Sequence, residues 1–183
     1  MFKSILSFGR RSNRQVVEAV YEAIVASARQ PFFYSRYEVP DTPLGRYEML
    51  SLHMVLFLER ARGVPALDEL AQETIDEFFK DVDHSLRELG INDISMPKRM
   101  KKLARMFYGR ADAYGRALAA GDAEALAAAL ARNVVPQQPG WAHGAALAAY
   151  AARAHAALAA QDEAGLLAGR IAFPEAGEEE ARP

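Results

Sequence analysis

Cysteine is absent from the 183-residue chain. Its absence excludes disulfide bonds, thiolate metal sites, dithiol redox chemistry and a cysteine nucleophile. The chain also lacks a convincing membrane span, since the apolar run from Leu50 to Leu58 is interrupted by His53 and falls well short of the roughly 20 residues that a spanning helix needs. The first residues are too polar for a signal peptide. We therefore expect a cytoplasmic protein.

A large charge of either sign is lacking too, because the net charge is only -2. This balance argues against a DNA-binding protein. The charges are nevertheless segregated: residues 66–93 sum to -7, residues 94–110 to +6 and residues 1–17 to +4. Two readings stay open. The charged helices solvate the protein, or the basic residues bind anionic lipid, ribosomal RNA or an acidic partner.

Apolar residues recur at a spacing of three or four over most of the chain, which predicts an all-α fold. The clearest stripes run through residues 67–89 and 100–118. Residues 43–62 are apolar nearly all round, so we expect this helix at the centre of a bundle. The predicted N-caps are Thr42, Asp122 and Asp162.

Three local features complete the predicted layout. Ser12 and Gln15 form a capping box, which predicts that a helix begins at residue 12. Residues 32–39 crowd aromatic side chains without a helical pattern. A short strand would need a partner strand, which the sequence does not offer, so we interpret them as an ordered loop. Gly109 and Gly115 weaken the helix that begins near Ser95, which predicts a bend or close packing there.

The composition divides the chain further. Residues 117–168 contain 23 alanines, so the prediction is a helical bundle with an alanine-rich C-terminal helical extension. The extension is either a separate small lobe or a set of helices packed on the bundle. The predicted segments are a basic amphipathic N-terminal segment at 1–11, the main helical domain at 12–135, the extension at 136–170 and an acidic disordered tail at 171–183.

Few residues are arranged for catalysis. Glu77, Asp81 and His84 lie at one-turn intervals, as carboxylate and imidazole ligands do in helical metal proteins, but a second such motif is missing. We interpret His53 as a core histidine that bonds to backbone or to an acid. No nucleophile elbow, phosphate-binding glycine loop or HExxH motif is present. The prediction is a non-enzymatic protein without a cofactor or a metal, and a helical metalloprotein is the alternative.

Several strings in the same order resemble one known family. They are FY at 33–34, VPDT at 39–42, GRYE at 45–48, LH at 52–53, FKDVD at 79–83, LRELGI at 86–91, DI at 93–94, KRMKK at 98–102, FYGR at 107–110, Tyr114 and RN at 132–133. In these strings residues 14–135 resemble the ubiquinol–cytochrome c chaperone family. The alanine-rich composition is typical of a bacterial member.

The resemblance implies an assembly factor for the cytochrome bc complex, without catalysis. The implied partner is newly made cytochrome b, met at the cytoplasmic face of the membrane. Mitochondrial members work with a smaller partner protein and bind near the ribosomal tunnel exit, and ribosome contact stays open for a bacterial member. A generic peripheral membrane adaptor is a further alternative.

Two sets of contact residues follow. The motif positions predicted to bind a partner are Arg46, His53, Asp81, Asp83, Arg87, Lys98, Lys101, Lys102, Arg105 and Arg110. Asp81, Asp83 and Arg87 could equally tie helices together. The apolar and basic N-terminal residues predicted to touch an anionic membrane are Phe2, Lys3, Ile5, Leu6, Arg10 and Arg11.

Overall fold

A computed structural model describes residues 2–138 and 140–177, with side chains from residue 13 onward. The described residues form helices and contain no strand, which confirms the predicted all-α class. The helices are α1 (Phe2–Ala28), α2 (Pro31–Ser35), α3 (Pro43–Ala61), α4 (Asp68–Glu88), α5 (Met96–Ala120), α6 (Ala123–Val134), α7 (Gly144–Ala159) and α8 (Glu163–Leu167), with a 3-10 turn at Pro65–Leu67 before α4.

Helix α3 is the centre of the bundle, as its all-round apolar pattern predicted. It packs against α1, α4, α5, α6 and α7. Thr42 caps it by accepting a hydrogen bond from the Gly45 amide at 3.1 Å, and Pro43 occupies its first turn. Proline suits this position because the missing N–H would have no partner there.

The alanine-rich helices belong to the same core. Helix α7 packs against α3 and α6, and α6 packs against α5. Leu130, Leu147 and Leu158 are fully buried in the cluster that also contains Val20 and Phe57. The structure therefore decides between the two readings of the extension: these helices pack on the bundle. Asp122 and Asp162 cap α6 and α8 as predicted.

Two predicted element boundaries are wrong. Helix α1 runs without a break from Phe2 to Ala28, so no helix begins at Ser12. A capping box permits a helix start, whereas a helix that is already propagating gains one hydrogen bond for each residue it adds. Residues 31–35 form the short helix α2 instead of a loop. There Phe33 is fully buried and Tyr34 donates a hydrogen bond to the Ala28 carbonyl at 3.0 Å.

The beginning of the predicted disordered tail is ordered. Ile171, Phe173 and Ala176 pack against the core. The amide side chain of Gln161 exchanges two hydrogen bonds with the backbone of Ala172, and Gln30 bonds in the same way to the backbone of residues 174 and 176. Prediction of disorder from residue 171 was therefore wrong for residues 171–177, while residues 178–183 lie outside the described residues.

Gly109 and Gly115 differ in surroundings although both lie inside the unbroken helix α5. A Cβ at Gly115 would meet the Glu59 carboxylate at 2.4 Å, whereas a Cβ at Gly109 would meet nothing within 4 Å. Close packing therefore explains Gly115 alone.

Replacing Gly109 by alanine is expected to raise the free energy of unfolding by about 0.5–1 kcal/mol, because glycine costs about that much in a helix interior. Urea denaturation measures the change. Gly45→Ala is the matched variant and must lower stability, since its new Cβ would lie 1.9 Å from the Pro40 carbonyl oxygen. A destabilised Gly109→Ala variant would contradict the open surroundings of Gly109.

Candidate functional site

An open groove of about 500 Å³ lies where α1, α3, α4 and α5 meet. Its floor and walls are mainly apolar. The side chains that form them include Val25, Leu44, Tyr47, Leu50, Val82, Leu86, Leu89 and Leu103. Leu44 keeps 48% of its surface exposed, and Leu89 is more exposed still. The groove therefore offers an apolar surface to a partner.

Charged side chains line the groove beside this apolar surface. Arg29 and Arg46 bring positive charge, and Asp81 and Glu88 bring negative charge. Arg46 pairs with Asp41 at 2.6 Å in an exposed contact, and this pairing lowers the pKa of the Asp41 carboxyl. Two of the residues predicted to bind a partner, Arg46 and Asp81, thus lie at the groove.

Asp81 also ties two of the groove's helices together. Its carboxylate accepts a 2.7 Å hydrogen bond from the Tyr21 hydroxyl of α1. Burial raises the pKa of Tyr21, and the bond to Asp81 raises it further. Tyr47 similarly ties α3 to α5 by donating to the Leu103 carbonyl at 2.8 Å, and burial raises its pKa to about 12. The two bonds therefore tie α1 to α4 and α3 to α5 beside the groove.

Two predicted partner-binding residues are buried instead, and the predictions for them are corrected. His53 is completely buried; its Nδ1 lies 2.8 Å from the Met49 carbonyl and its Nε2 lies 2.8 Å from the Tyr150 hydroxyl. Burial lowers the pKa of His53 to about 4, so the ring is neutral at pH 7. The interpretation of His53 as a core histidine is confirmed.

Arg110 is the second buried residue. Its guanidinium forms a two-bond contact with the Glu48 carboxylate and donates a third bond to the Met106 carbonyl at 2.8 Å. The side chain of Arg110 keeps 7% of its surface exposed to solvent, and that of Glu48 keeps 1%. Because Arg110 faces α3, it cannot contact a partner at the surface.

The remaining charged motif residues lie on the surface beyond the groove. Arg87 pairs with Asp83 at 2.7 Å and also with Asp93. Four of the exposed cations of α5, which are the motif residues predicted to bind a partner, form no ion pair with any of the described residues: Lys98, Lys101, Lys102 and Arg105. The predicted membrane-contact side chains of residues 2–11 lie outside the described side chains.

The residues of the alternative metal site contact other partners. Glu77 accepts a bond from Lys80 at 2.9 Å, Asp81 holds Tyr21, and His84 lies 3.2 Å from Glu88. In the part of the chain that the structure describes, no three histidine, aspartate or glutamate side chains are placed to share a metal ion.

The groove's apolar residues escaped the sequence prediction because Leu86, Leu89 and Leu103 belong to stripes that read as core. Position along the helix was the available signal. Leu44 lies in the first turn of α3 and Leu89 caps the end of α4. A stripe residue at the end of a helix reaches past the core that the stripe faces.

No helix among the described residues combines the length and apolar character of a membrane span. A family model described as ubiquinol-cytochrome C chaperone matches residues 35–173. The match therefore extends beyond residue 135, where the resemblance seen in the sequence ended, and includes α7, α8 and the first residues of the ordered tail.

One solved structure is similar over nearly its whole length. It is the crystal structure of the Cbp3 homolog from Brucella abortus, which is 55% identical, with coverage of 97% of this chain and 99% of that chain and a TM-score of 0.90. A search of curated proteins gives no match.

Proposed function

Because the chain belongs to the ubiquinol-cytochrome C chaperone family, and so has a chaperone role in cytochrome bc1 assembly, we propose that its client is newly made cytochrome b. The protein binds this client at the cytoplasmic membrane surface and acts without catalysis. The observation that supports the proposal best is the open apolar groove between α1, α3, α4 and α5. The smaller assembly partner and the ribosome contact stay predictions.

The groove suits an unassembled membrane protein. The helices of such a client are long apolar segments, and they aggregate in water unless their side chains are covered. Each large aliphatic side chain that leaves water contributes about 1.5–3 kcal/mol. A few such contacts in an open groove give a complex that forms readily and still releases its client.

The charges beside the groove suit the ends of such a helix. Cytochrome b segments pass from lipid into water, where they carry charged residues. Arg29 can pair with an acidic residue of the client, and Glu88 with a basic one. Arg46 can do so by exchanging its exposed partner Asp41 for an acidic residue of the client. Exposed pairs of this kind add little affinity but orient the partner.

Site-specific crosslinking in growing cells tests the proposal. A photoreactive amino acid replaces Ser85, which is exposed and lines the groove. A second strain carries it at Gln72, which is exposed on the same helix but outside the groove. We expect cytochrome b to be captured from residue 85 and not from residue 72. Equal capture from both positions, or none, contradicts the groove as the client site.

Replacing Leu44 by aspartate is expected to lower the amount of cytochrome b captured from residue 85 at least tenfold. A carboxylate in the apolar groove loses the apolar contact and must be desolvated when the client binds. Leu44 is half exposed, so the fold should tolerate the change. Leu167→Asp is the matched control because Leu167 is 42% exposed and lies outside this groove. If both variants lose capture equally, the loss does not come from the groove.

A further inference from the structure

The turn that joins α4 to α5 exposes a large apolar side chain to solvent. Ile94 keeps 93% of its surface exposed, more than any other large apolar residue described. Leu89, at the start of the same connection, is also exposed and lies beside the client groove. We call residues 89–97 the α4–α5 corner. An aliphatic side chain at the tip of a surface turn is a candidate contact site.

Hydrogen bonds fix the backbone of the corner on both sides of Ile94, so the position of this side chain is defined. The side-chain oxygen of Asn92 accepts bonds from the Ser95 amide at 3.0 Å and from the Ser95 hydroxyl at 2.9 Å. The Met96 amide bonds to the Asn92 carbonyl at 3.1 Å. These bonds on both sides of Ile94 fix the backbone with the side chain directed to solvent.

Positive charge lies directly beside the corner. Lys98, Lys101, Lys102 and Arg105 follow at spacings of three and four, which places them on one face of α5 within about 10 Å of axis. All four are exposed and form no ion pair with described residues. Of the acids near the corner, Asp83 and Asp93 share the single guanidinium of Arg87 and Glu88 lies 3.2 Å from His84, so the four cations remain in excess.

The first turn of α5 supports the same conclusion. It contains Lys98 and Arg99 and no acidic residue, although the helix dipole disfavours cations at this end. Lys98 and Arg99 are therefore slightly unfavourable for the stability of this helix end. An anionic partner at this surface would compensate for that unfavourable effect.

We propose that the α4–α5 corner docks on an anionic lipid bilayer, with Ile94 entering the headgroup region and the α5 cations contacting lipid phosphates. Aliphatic side chains together with unpaired cations form reversible peripheral anchors. RNA surfaces favour aromatic stacking groups. Residues 89–97 contain none, and the ring of the exposed Tyr108 further along α5 lies against Phe79 and Phe107. The inference rests on the proposed function, which places the protein at the membrane surface. In the docked orientation, the side of the groove that contains Leu89 faces the membrane that the client enters.

Vesicle binding by the full chain tests this docking. Cosedimentation is measured with vesicles of phosphatidylcholine containing phosphatidylglycerol, and with phosphatidylcholine alone. We expect binding only to the anionic vesicles and a decrease with added salt. Lys98→Gln/Lys101→Gln/Lys102→Gln should bind about 100-fold more weakly, at about fivefold for each basic residue. Ile94→Ser should bind about tenfold more weakly.

Matched variants separate the corner from general charge and apolarity. Lys80→Gln/Arg132→Gln/Arg170→Gln removes three exposed cations elsewhere, and Leu167→Ser removes an exposed apolar side chain elsewhere; both should bind like the parent. Docking is overturned if these controls lose as much binding as the corner variants. Docking is also overturned if the Ile94 variant and the triple lysine variant bind vesicles normally, which would place the membrane contact in the N-terminal segment. A third contradicting result is that the protein binds single-stranded RNA through the α5 cations but does not bind vesicles.

The same variants distinguish failure of docking from failure of the proposed function. Cytochrome b capture from residue 85 is measured in detergent extracts, where no bilayer is present. Normal vesicle binding without capture would remove the cytochrome b client and leave docking in place. Normal capture without corner-dependent vesicle binding would remove docking and leave the client proposal in place.

Discussion

Replacing Arg110 by methionine is expected to lower the free energy of unfolding by about 3–5 kcal/mol, because removal of one partner leaves a buried charge uncompensated. The partner is Glu48, whose side chain is 1% exposed on the central helix α3. Burial already raises the pKa of this carboxyl, and the hydrogen bonds of Arg110 oppose that rise. Urea denaturation at pH 7 measures the loss.

Acid should rescue the Arg110→Met variant. Without the guanidinium, burial raises the pKa of Glu48 further above its unfolded value, so the folded state binds the proton more tightly. Stability relative to the parent then rises as the pH falls from 8 to 5. The control is the double variant Glu48→Leu/Arg110→Met. It should recover most of the lost free energy of unfolding, because an apolar pair can replace a buried ion pair. A double variant as unstable as the single one would contradict this account.

Lowering the pH from 7 to 4 is expected to remove about 3 kcal/mol of stability through His53 alone. The pKa of His53 is about 4 in the folded protein and about 6.5 in the unfolded chain. Between these values the unfolded state binds the extra proton, so stability falls as the pH falls. The cause is that a charged imidazole would have to remain buried against Tyr150, Phe33 and Phe173.

Variants isolate the contribution of His53 from that of the carboxyl groups. His53→Leu/Tyr150→Phe removes the buried imidazole together with its hydroxyl partner, and its stability should fall by about 3 kcal/mol less than that of the parent over the same pH range. His84→Gln is the matched control because His84 is exposed on α4. Its stability curve should parallel that of the parent. Parallel curves for all three proteins would show that His53 does not set the acid sensitivity.

The helices could largely be predicted because their signals are local. The cap at Thr42 is a hydrogen bond between residues three apart, and the same holds for Asp122. The apolar stripes repeat within one turn of a helix. The two errors have different causes. A capping residue such as Ser12 can begin a helix but does not have to, and the five-residue helix α2 depends on the burial of Phe33.

The candidate site could be predicted only in part. Arg46 and Asp81 lie at the groove, whereas Arg110 and His53 are buried and Lys98 lies beyond it. Spacing along a helix tells which charges share a face, but not whether that face meets water or another helix. Lys98 and Arg110 belong to one basic segment of the sequence, but in the fold Lys98 is exposed to solvent and Arg110 is buried against α3.

By itself, then, the sequence determined that this protein is all-helical, that it works without thiol chemistry and which family it resembles, because these depend on composition, helical period and local strings. The tertiary structure decided which charges are available, where the groove opens and that the alanine-rich helices share the core. Those features depend on pairs that are distant along the chain: Tyr21 with Asp81 at a separation of 60 residues, Glu48 with Arg110 at 62 and His53 with Tyr150 at 97. Only packing brings such pairs together.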